Sequence, residues 1–245
     1  MSGGSRKEIA MTLDSHIAEA LAGVSTATLT TVLLKQGLRR VWMRGTVPLR
    51  PDQPRRVGRA FTLRFVPARE DLATPASWSS PKSTRTAIEA MPAGCIAVVD
   101  AMGVADAGIF GDILCARMVW RGVAGLVTDG VVRDRAGVLA TGLAVWCQGA
   151  AAPPAVAGLT FVDWQQPIGC GGVAVFPDDV VVADGDGAVV IPQALVAAVL
   201  AESVAQERLE GWIMGEVARG AALPGLYPPN AEAKARYEVW AKGRK

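Results

Sequence analysis

Histidine is nearly missing from this chain: of 245 residues, one is histidine, His16. It falls in a predicted N-terminal helix and reads as a surface residue. One histidine argues against Ser-His-Asp or Cys-His catalysis and against a phosphohistidine carrier, and it cannot build a histidine-bound zinc centre. Cysteine is scarce too. Cys95, Cys115, Cys147 and Cys170 are far apart, no Cys-x-x-Cys occurs, and each sits inside an apolar pattern. Buried free thiols in a reducing compartment follow. The lysines are Lys7, Lys35, Lys82, Lys234, Lys242 and Lys245. None lies in a predicted buried strand, where a Schiff-base lysine would have its pKa lowered, so imine chemistry is disfavoured. Neither GxxxxGK nor GxGxxG is present, which removes the common phosphate loops.

A charge excess is also lacking. Lys and Arg number 25 against 23 Asp and Glu, a net charge of +2, so there is no basic footprint for nucleic acid. Arg39-Arg40 and Arg55-Arg56 read as solvated loop ends. No run of 18 apolar residues exists, so no transmembrane helix is predicted. Asp14, His16 and Glu19 interrupt the stretch where a signal peptide would need an apolar core. The expectation is a soluble, cytoplasmic protein with no membrane partner.

What the chain does have is 51% hydrophobic residues, enough for a sizeable core. Residues 1–8 read as a frayed tail. Helices are predicted over Ile9–Ala22 and Thr26–Gly37, the second capped by Ser25 and stopped by Gly37. Arg44–Arg56 reads as a loop around a short strand. Gly58–Val66 alternates apolar and polar residues, which predicts a strand with one buried face. Pro67–Ser83 is a long polar loop carrying Trp78, a length that often signals function. A short helix at Lys82–Ala90 precedes a buried strand at Ile96–Ala101. Later apolar runs predict strands at Leu143–Cys147, Leu159–Val162, Pro167–Val175, Val180–Ala183 and Ala188–Ile191. The last two flank Asp184-Gly185-Asp186-Gly187. That run fits a hairpin turn far better than a calcium loop, because Gln193 would stand at the loop's twelfth position. A long amphipathic helix is predicted from Pro192 to about Arg219, with Leu195, Val196, Val199, Leu200 and Ile213 on its apolar side. The tail breaks at the Tyr-Pro-Pro segment and ends in a short helix with Tyr237, Val239 and Trp240. Trp212, Ile213, Leu223 and Leu226 exceed what the long helix needs for its core stripe, which predicts a subunit interface.

The stretch GDILCARMVWRGVAGLVTDGVVRD, Gly111–Asp134, is the most informative. Gly111-Asp112 open a helix, Gly122 ends it, and Gly125–Asp129 reads as a buried strand delivering Arg133 and Asp134 past its C-terminal end. Open α/β sheets bind ligands at that end. Backbone N–H groups at the helix start suit a carboxylate. Oxygen-only donors suit Mg²⁺ or Mn²⁺, and such a cation can chelate a 2-oxo acid and stabilise its enolate. The residues alone leave a plainer reading open: Asp112 as an ordinary first-turn residue, Asp129-Gly130 as a turn, and Arg133-Asp134 as part of the surface.

This stretch, with Val24–Thr28 and the Asp178–Pro192 region, resembles the signature of the RraA-like family. That family holds 4-hydroxy-4-methyl-2-oxoglutarate / 4-carboxy-4-hydroxy-2-oxoadipate aldolases and regulators of ribonuclease activity. The resemblance implies an α/β fold, a swivelling β/β/α sandwich with a long C-terminal helix. It makes residues 1–245 one domain, with a core over about 20–215 and a C-terminal extension over 216–245. It implies a homotrimer or homohexamer with the site at a subunit interface. Gly111, Asp112, Ile113 and Leu114 would bind the pyruvyl carboxylate through backbone amides, Arg133 would hold the substrate, and Asp134 would ligate Mg²⁺ or Mn²⁺. Asp112 would orient metal-bound water, and a glutamate of a neighbouring subunit, Glu207 or Glu210, would join the site. Pro177-Asp178-Asp179 stands where the family has Pro-Gly-Asp, and the Pro67–Ser83 loop and the tail depart from the aldolases. A divergent subgroup is implied.

The first functional reading is therefore a divalent-metal-dependent (class II) pyruvate aldolase or 2-oxo acid lyase, cleaving a 4-hydroxy-2-oxo acid to pyruvate with oxaloacetate decarboxylation as a side activity. The alternatives are a non-catalytic regulator that binds a ribonuclease or helicase, and a lyase or hydratase acting on a sugar-derived 2-oxo acid.

Overall fold

The computed structural model of the chain describes residues 13–243, so the expected tail at 1–8 and the expected helix start at Ile9 lie outside the described residues. Helix α1 spans Ser15–Ala22, and the Asp14 carboxylate accepts from His16 N and Ile17 N at its start. Helix α2 spans Thr26–Lys35, and Ser25 Oγ accepts from Thr28 N, the cap that the sequence indicated. Gly37, at φ +87°, carries the chain out of the helix.

Strands β1 (Trp42–Met43) and β2 (Val47–Pro48) precede the long β3, Arg56–Pro67. Helix α3 (Thr84–Ala90) leads to β4 (Ile96–Asp100), and α4 (Asp112–Trp120) leads to β5 (Gly125–Thr128). Next come α5 (Arg135–Ala140), β6 (Val145–Cys147), β7 (Leu159–Trp164), β8 (Ile168–Cys170) and β9 (Val173–Val175). Strands β10 (Val180–Asp184) and β11 (Gly187–Ile191) form the hairpin expected at Asp184–Gly187. Helices α6 (Val196–Ala218) and α7 (Ala231–Lys242) end the described chain.

The main sheet runs β1-β11-β10-β3-β4-β5-β6-β2, with β7 also on β3. Strands β3 to β6 are parallel neighbours. Strand β2, at the far end of the path, contacts β11, so the sheet curls back on itself. This is the mixed α/β sandwich with a long C-terminal helix that the resemblance implied.

Strand β3 corrects the expectation of a single buried face. Its middle, Ala60–Leu63, is buried on both faces. It pairs with β4 on one side, and on the other with β10 in its first half and β7 in its second. The alternation misled because Thr62 is polar yet fully buried, satisfied by the Gln166 carbonyl and the Gln165 side chain. The C-terminal region corrects a second expectation. Trp212, Ile213 and Leu226 are not interface surface. They are buried beneath α7, which folds back on α6 with Ala233, Tyr237 and Trp240. Leu223 stays exposed, as does Val239 on the outer side of α7.

All four cysteines are free and buried, and burial pushes the Cys95 and Cys115 thiols up to about 12. They are not thiolates at neutral pH.

One polar knot fastens the N-terminal helices to the sheet. Asp184, at the β10 end, accepts from Thr26 N (2.9 Å), Thr26 Oγ1 (2.7 Å) and Asp186 N (3.0 Å), and pairs with Arg55 Nε at 3.3 Å. Burial alone would raise its pKa. The bonds from Thr26 and Asp186, with the Arg55 charge, overcome burial and hold it below the usual carboxylate value. A depressed carboxylate pKa stabilises the fold above about pH 4 and ceases to do so as pH falls through the folded value. Asp184→Asn is expected to lower unfolding free energy by about 2–3 kcal/mol at pH 7. In urea titrations across pH, the gap from wild type should narrow below about pH 4; a gap independent of pH would refute the assignment.

Candidate active site

The residues singled out at Gly111–Asp134 meet because two short segments run side by side. Ile109 N donates to the Val131 carbonyl and Arg133 N to the Phe110 carbonyl, each at 2.9 Å. Gly108 bridges Val131, and a Cβ on it would fall 2.7 Å from Arg133 N. This contact sets the start of α4 against the start of α5. Asp129 braces the arrangement from below. Its buried carboxylate accepts from Ala101 N (2.8 Å) and Gly171 N (3.0 Å), tying the end of β5 to β4 and the β8–β9 hairpin. Burial raises its pKa against those bonds, and nearby Asp100 adds to the rise. The Asp129-Gly130 step is a clamp rather than a plain turn.

The two candidate carboxylates reach across to each other's helices. Asp134 Oδ2 lies where a Cβ on Gly111 would meet it at 2.5 Å, and Asp112 Oδ2 lies where a Cβ on Gly137 would meet it at 2.6 Å. Glycine at 111 and 137 is what lets both carboxylates fit. Asp134 occupies the N-cap position of α5 but makes no capping bond, and its backbone is left-handed at φ +53°, ψ +46°. A non-glycine residue there is strained. Its carboxylate instead accepts from Arg133 Nε at 3.1 Å. Asp112 Oδ1 accepts from Ile113 N at 2.7 Å, so that amide has a partner within the chain. The other first-turn N–H groups of α4 have no intrahelical acceptor and present the positive end of the helix.

These residues line a cleft of about 350 Å³, together with Gly108, Ile109, Leu114 and residues of the Pro67–Ser83 loop. The loop, which contains a 3₁₀ turn at Pro75–Ser79, is a wall of the cleft. Its length and Trp78 stand out in the sequence, but no local pattern encodes what it faces. Gly111, Asp112, Ile113, Leu114, Arg133 and Asp134 are thus brought together. Glu207 and Glu210 are not: both lie on α6. Glu207 Oε1 accepts from Ser25 N at 2.7 Å, and Glu210 Oε1 accepts from Gln206 Nε2 at 2.7 Å. Burial works against the Glu207 carboxylate, yet the Ser25 and Thr28 bonds hold its pKa below the usual value.

The donor set suits a hard divalent cation. Among the described residues no group of three or more His, Cys, Asp and Glu side chains forms a metal cage. Two half-exposed carboxylates with open space between helix starts match the way Mg²⁺ binds, through one or two carboxylates with waters and substrate oxygens completing the shell.

The RraA-like (aldolase/RraA) family model matches residues 18–190. The chain belongs to the RraA-like family. It is 37% identical over 106 residues to a protein of Halalkalibacterium halodurans that carries the provisional name 4-hydroxy-4-methyl-2-oxoglutarate aldolase, covering 43% of this chain and 49% of that one. It is 27% identical over 167 residues to protein DlpA of Legionella pneumophila, covering 68% of this chain and 26% of that one. The chain thus spans about half and about a quarter of the curated relatives it matches. Among solved structures, RraAS2 of Streptomyces coelicolor, described as an unusual member of the RNase ES inhibitor RraA protein family, superposes with a TM-score of 0.73 at 33% identity. That match covers 82% of this chain and 96% of the other.

The left-handed backbone at Asp134 has a measurable cost. Asp134→Gly is expected to raise unfolding free energy by about 1 kcal/mol, read by urea denaturation, even though it removes the ion pair with Arg133. A destabilisation would mean that the ion pair outweighs the strain.

Proposed function

We propose that this cleft cleaves a 4-hydroxy-2-oxo acid to pyruvate and a carbonyl compound, with Mg²⁺ or Mn²⁺ held by Asp134. The observation that carries the reading is Asp134 itself. It is a strained N-cap residue that does not cap, turned across a glycine to stand beside Arg133. The substrate carboxylate docks at the remaining N–H groups that begin α4, within Gly111–Leu114, since Ile113 N is bonded to Asp112. Arg133 provides a fixed guanidinium for the oxygen on which charge develops as the C3–C4 bond breaks. Asp112, in the same cleft, receives the proton of the C4 hydroxyl, directly or through a water it orients. The electron pair of the broken bond passes toward the C2 carbonyl, and a proton returned at C3 completes pyruvate. The divalent ion, when bound, supplies Lewis-acid stabilisation of the developing enolate. Oxaloacetate decarboxylation needs the same stabilisation and follows as a side activity.

Assembly belongs to the proposal. Helix α4 begins at the cleft and shows Ile113 and Trp120 to solvent, 80% and 75% exposed. Large apolar side chains exposed beside an open site favour a second copy at that place. A trimer or hexamer would bring a glutamate of α6 from a neighbouring subunit to the Asp134 group. Because Glu207 already holds Ser25, Glu210 is the better placed of the two. The name carried by RraAS2 supports a second reading, a regulator that binds a ribonuclease without catalysis; the intact Asp112, Arg133 and Asp134 favour the first.

Asp134→Ala should abolish Mg²⁺-dependent pyruvate release while leaving circular dichroism and melting behaviour close to wild type. Arg133→Lys keeps the charge but loses the planar fork and should lower kcat/KM by about 100-fold. Wild-type activity in both variants would place the chemistry elsewhere, and a wild-type protein inert toward every 2-oxo acid would favour the regulator. Trp120→Glu should shift light-scattering mass from the oligomer toward the monomer; an unchanged mass would clear α4 of any part in assembly.

A further inference from the structure

The cleft is larger than a three-carbon 2-oxo acid needs. The pyruvyl end is accounted for by Gly111–Leu114, Arg133 and Asp134. The rest of the cleft lining includes apolar side chains that the reaction does not use: Leu72 and Trp78 on the long loop and Phe161 on β7, backed by the nearly buried Phe65 on β3 and Leu159 on β7. This wall is aromatic and held in place. Phe65 and Phe161 are cross-strand partners with ring centroids 5.3 Å apart, edge to face, and Phe161 stacks on Trp164 at 6.4 Å. Trp78 is pinned by the Arg85 guanidinium, 5.1 Å from its ring centroid.

Two exposed cations, Lys82 and Arg85, line the cleft beside these side chains. Lys82 Nζ is bonded to Asp163 Oδ2 at 2.9 Å, and Arg85 lies over Trp78. A second carboxylate placed against the rings and alkyl groups would shed its water there, and it would reach Lys82 only in competition with Asp163 and Arg85 only at its exposed side. That transfer is unfavourable. A ring or branched alkyl group in the same place loses nothing polar and gains contact area.

We propose that the cleft selects 4-hydroxy-2-oxo acids whose C4 bears an uncharged aromatic or branched alkyl group, with Trp78 and Phe161 as the residues that choose it. The inference rests on the aldolase reading and deepens it. For a phenyl substituent, the C3–C4 bond breaks, the C4 hydroxyl loses its proton and becomes the carbonyl of benzaldehyde, and the C3 electron pair is carried as the enolate until a proton arrives to give pyruvate. No oxidant or reductant is required.

The test separates binding from turnover. Isothermal titration of the full chain in Mg²⁺ buffer compares 2-oxo-4-phenylbutanoate with 2-oxoglutarate; neither has the C4 hydroxyl, so neither can be cleaved. The phenyl ligand is expected to bind about 10-fold more tightly or better. Trp78→Ala should bring the two affinities close together, and Trp78→Phe should keep most of the difference. Equal binding, or a preference for 2-oxoglutarate, in the wild-type protein overturns the proposal whether or not the variants fold. An unchanged preference in a folded Trp78→Ala protein overturns the role of Trp78. Pyruvate release from 4-hydroxy-2-oxo-4-phenylbutanoate and from 4-hydroxy-4-methyl-2-oxoglutarate then distinguishes the two readings. Selective binding without cleavage of either sinks the aldolase and keeps the selectivity. Cleavage of the carboxylated acid alone sinks the selectivity and keeps the aldolase.

Discussion

Two backbone hydrogen bonds, Ile109 N–H to the Val131 carbonyl and Arg133 N–H to the Phe110 carbonyl, fix everything that the candidate site can do. They lock the segment before α4 to the segment before α5. With that lock in place, two helix starts face one space, and the side chains at those starts have no choice of neighbour. Gly108 and Gly111 permit the approach, since a Cβ at either would strike Arg133 or Asp134. The lock rests in turn on Asp129, whose carboxylate joins β5 to β4 and to the β8–β9 hairpin. A fully buried set of parallel strands holds that clamp in position.

Electrostatics and backbone strain act together at the same point. Helix starts offer positive potential, so carboxylates gather there at little cost. Asp112 spends one oxygen on its neighbour's amide. Asp134 spends none on α5 and sits in a left-handed backbone. A chain under selection for stability alone would place glycine at such a position and a bonding cap at such a helix start. The strain is held by the surrounding lock, and its return is a carboxylate aimed at Arg133 and the open cleft. This pattern, an observed backbone outlier beside unspent polar groups, is a physical ground for a functional site.

Much of this was legible in the sequence, and the reasons are local. Ser25 before an apolar run reads as a cap because its side chain bonds an amide three residues on. Asp184–Gly187 between two valine-rich runs reads as a hairpin because few other structures tolerate that turn. Gly111-Asp112 and Arg133-Asp134 could be paired because a strand, a helix and a short turn of known lengths separate them. What escaped depends on partners distant along the chain. The double-sided burial of β3 hangs on Gln165 and Gln166 reaching Thr62, and no alternation pattern encodes that. The surplus apolar surface of α6 predicts an interface from sequence, yet its cover is α7 of the same chain.

The Pro67–Ser83 loop joins these two kinds of information. Sequence marked it as too long for a plain connection, and only its folded position gives it a purpose. The part of the cleft formed by Gly111–Leu114, Arg133 and Asp134 lies on helix starts locked by backbone bonds, where a shift of one residue would misplace every group. The other part lies on a loop and on β7, at the edge of that frame, where side chains can change while the lock stays intact. In this chain that part of the lining carries Trp78 and Phe161, with Lys82 paired to Asp163 and Arg85 packed over Trp78. The fold thus builds one cleft from a locked frame and from a loop outside it, and it does so with the length of that loop and the register of one strand pair.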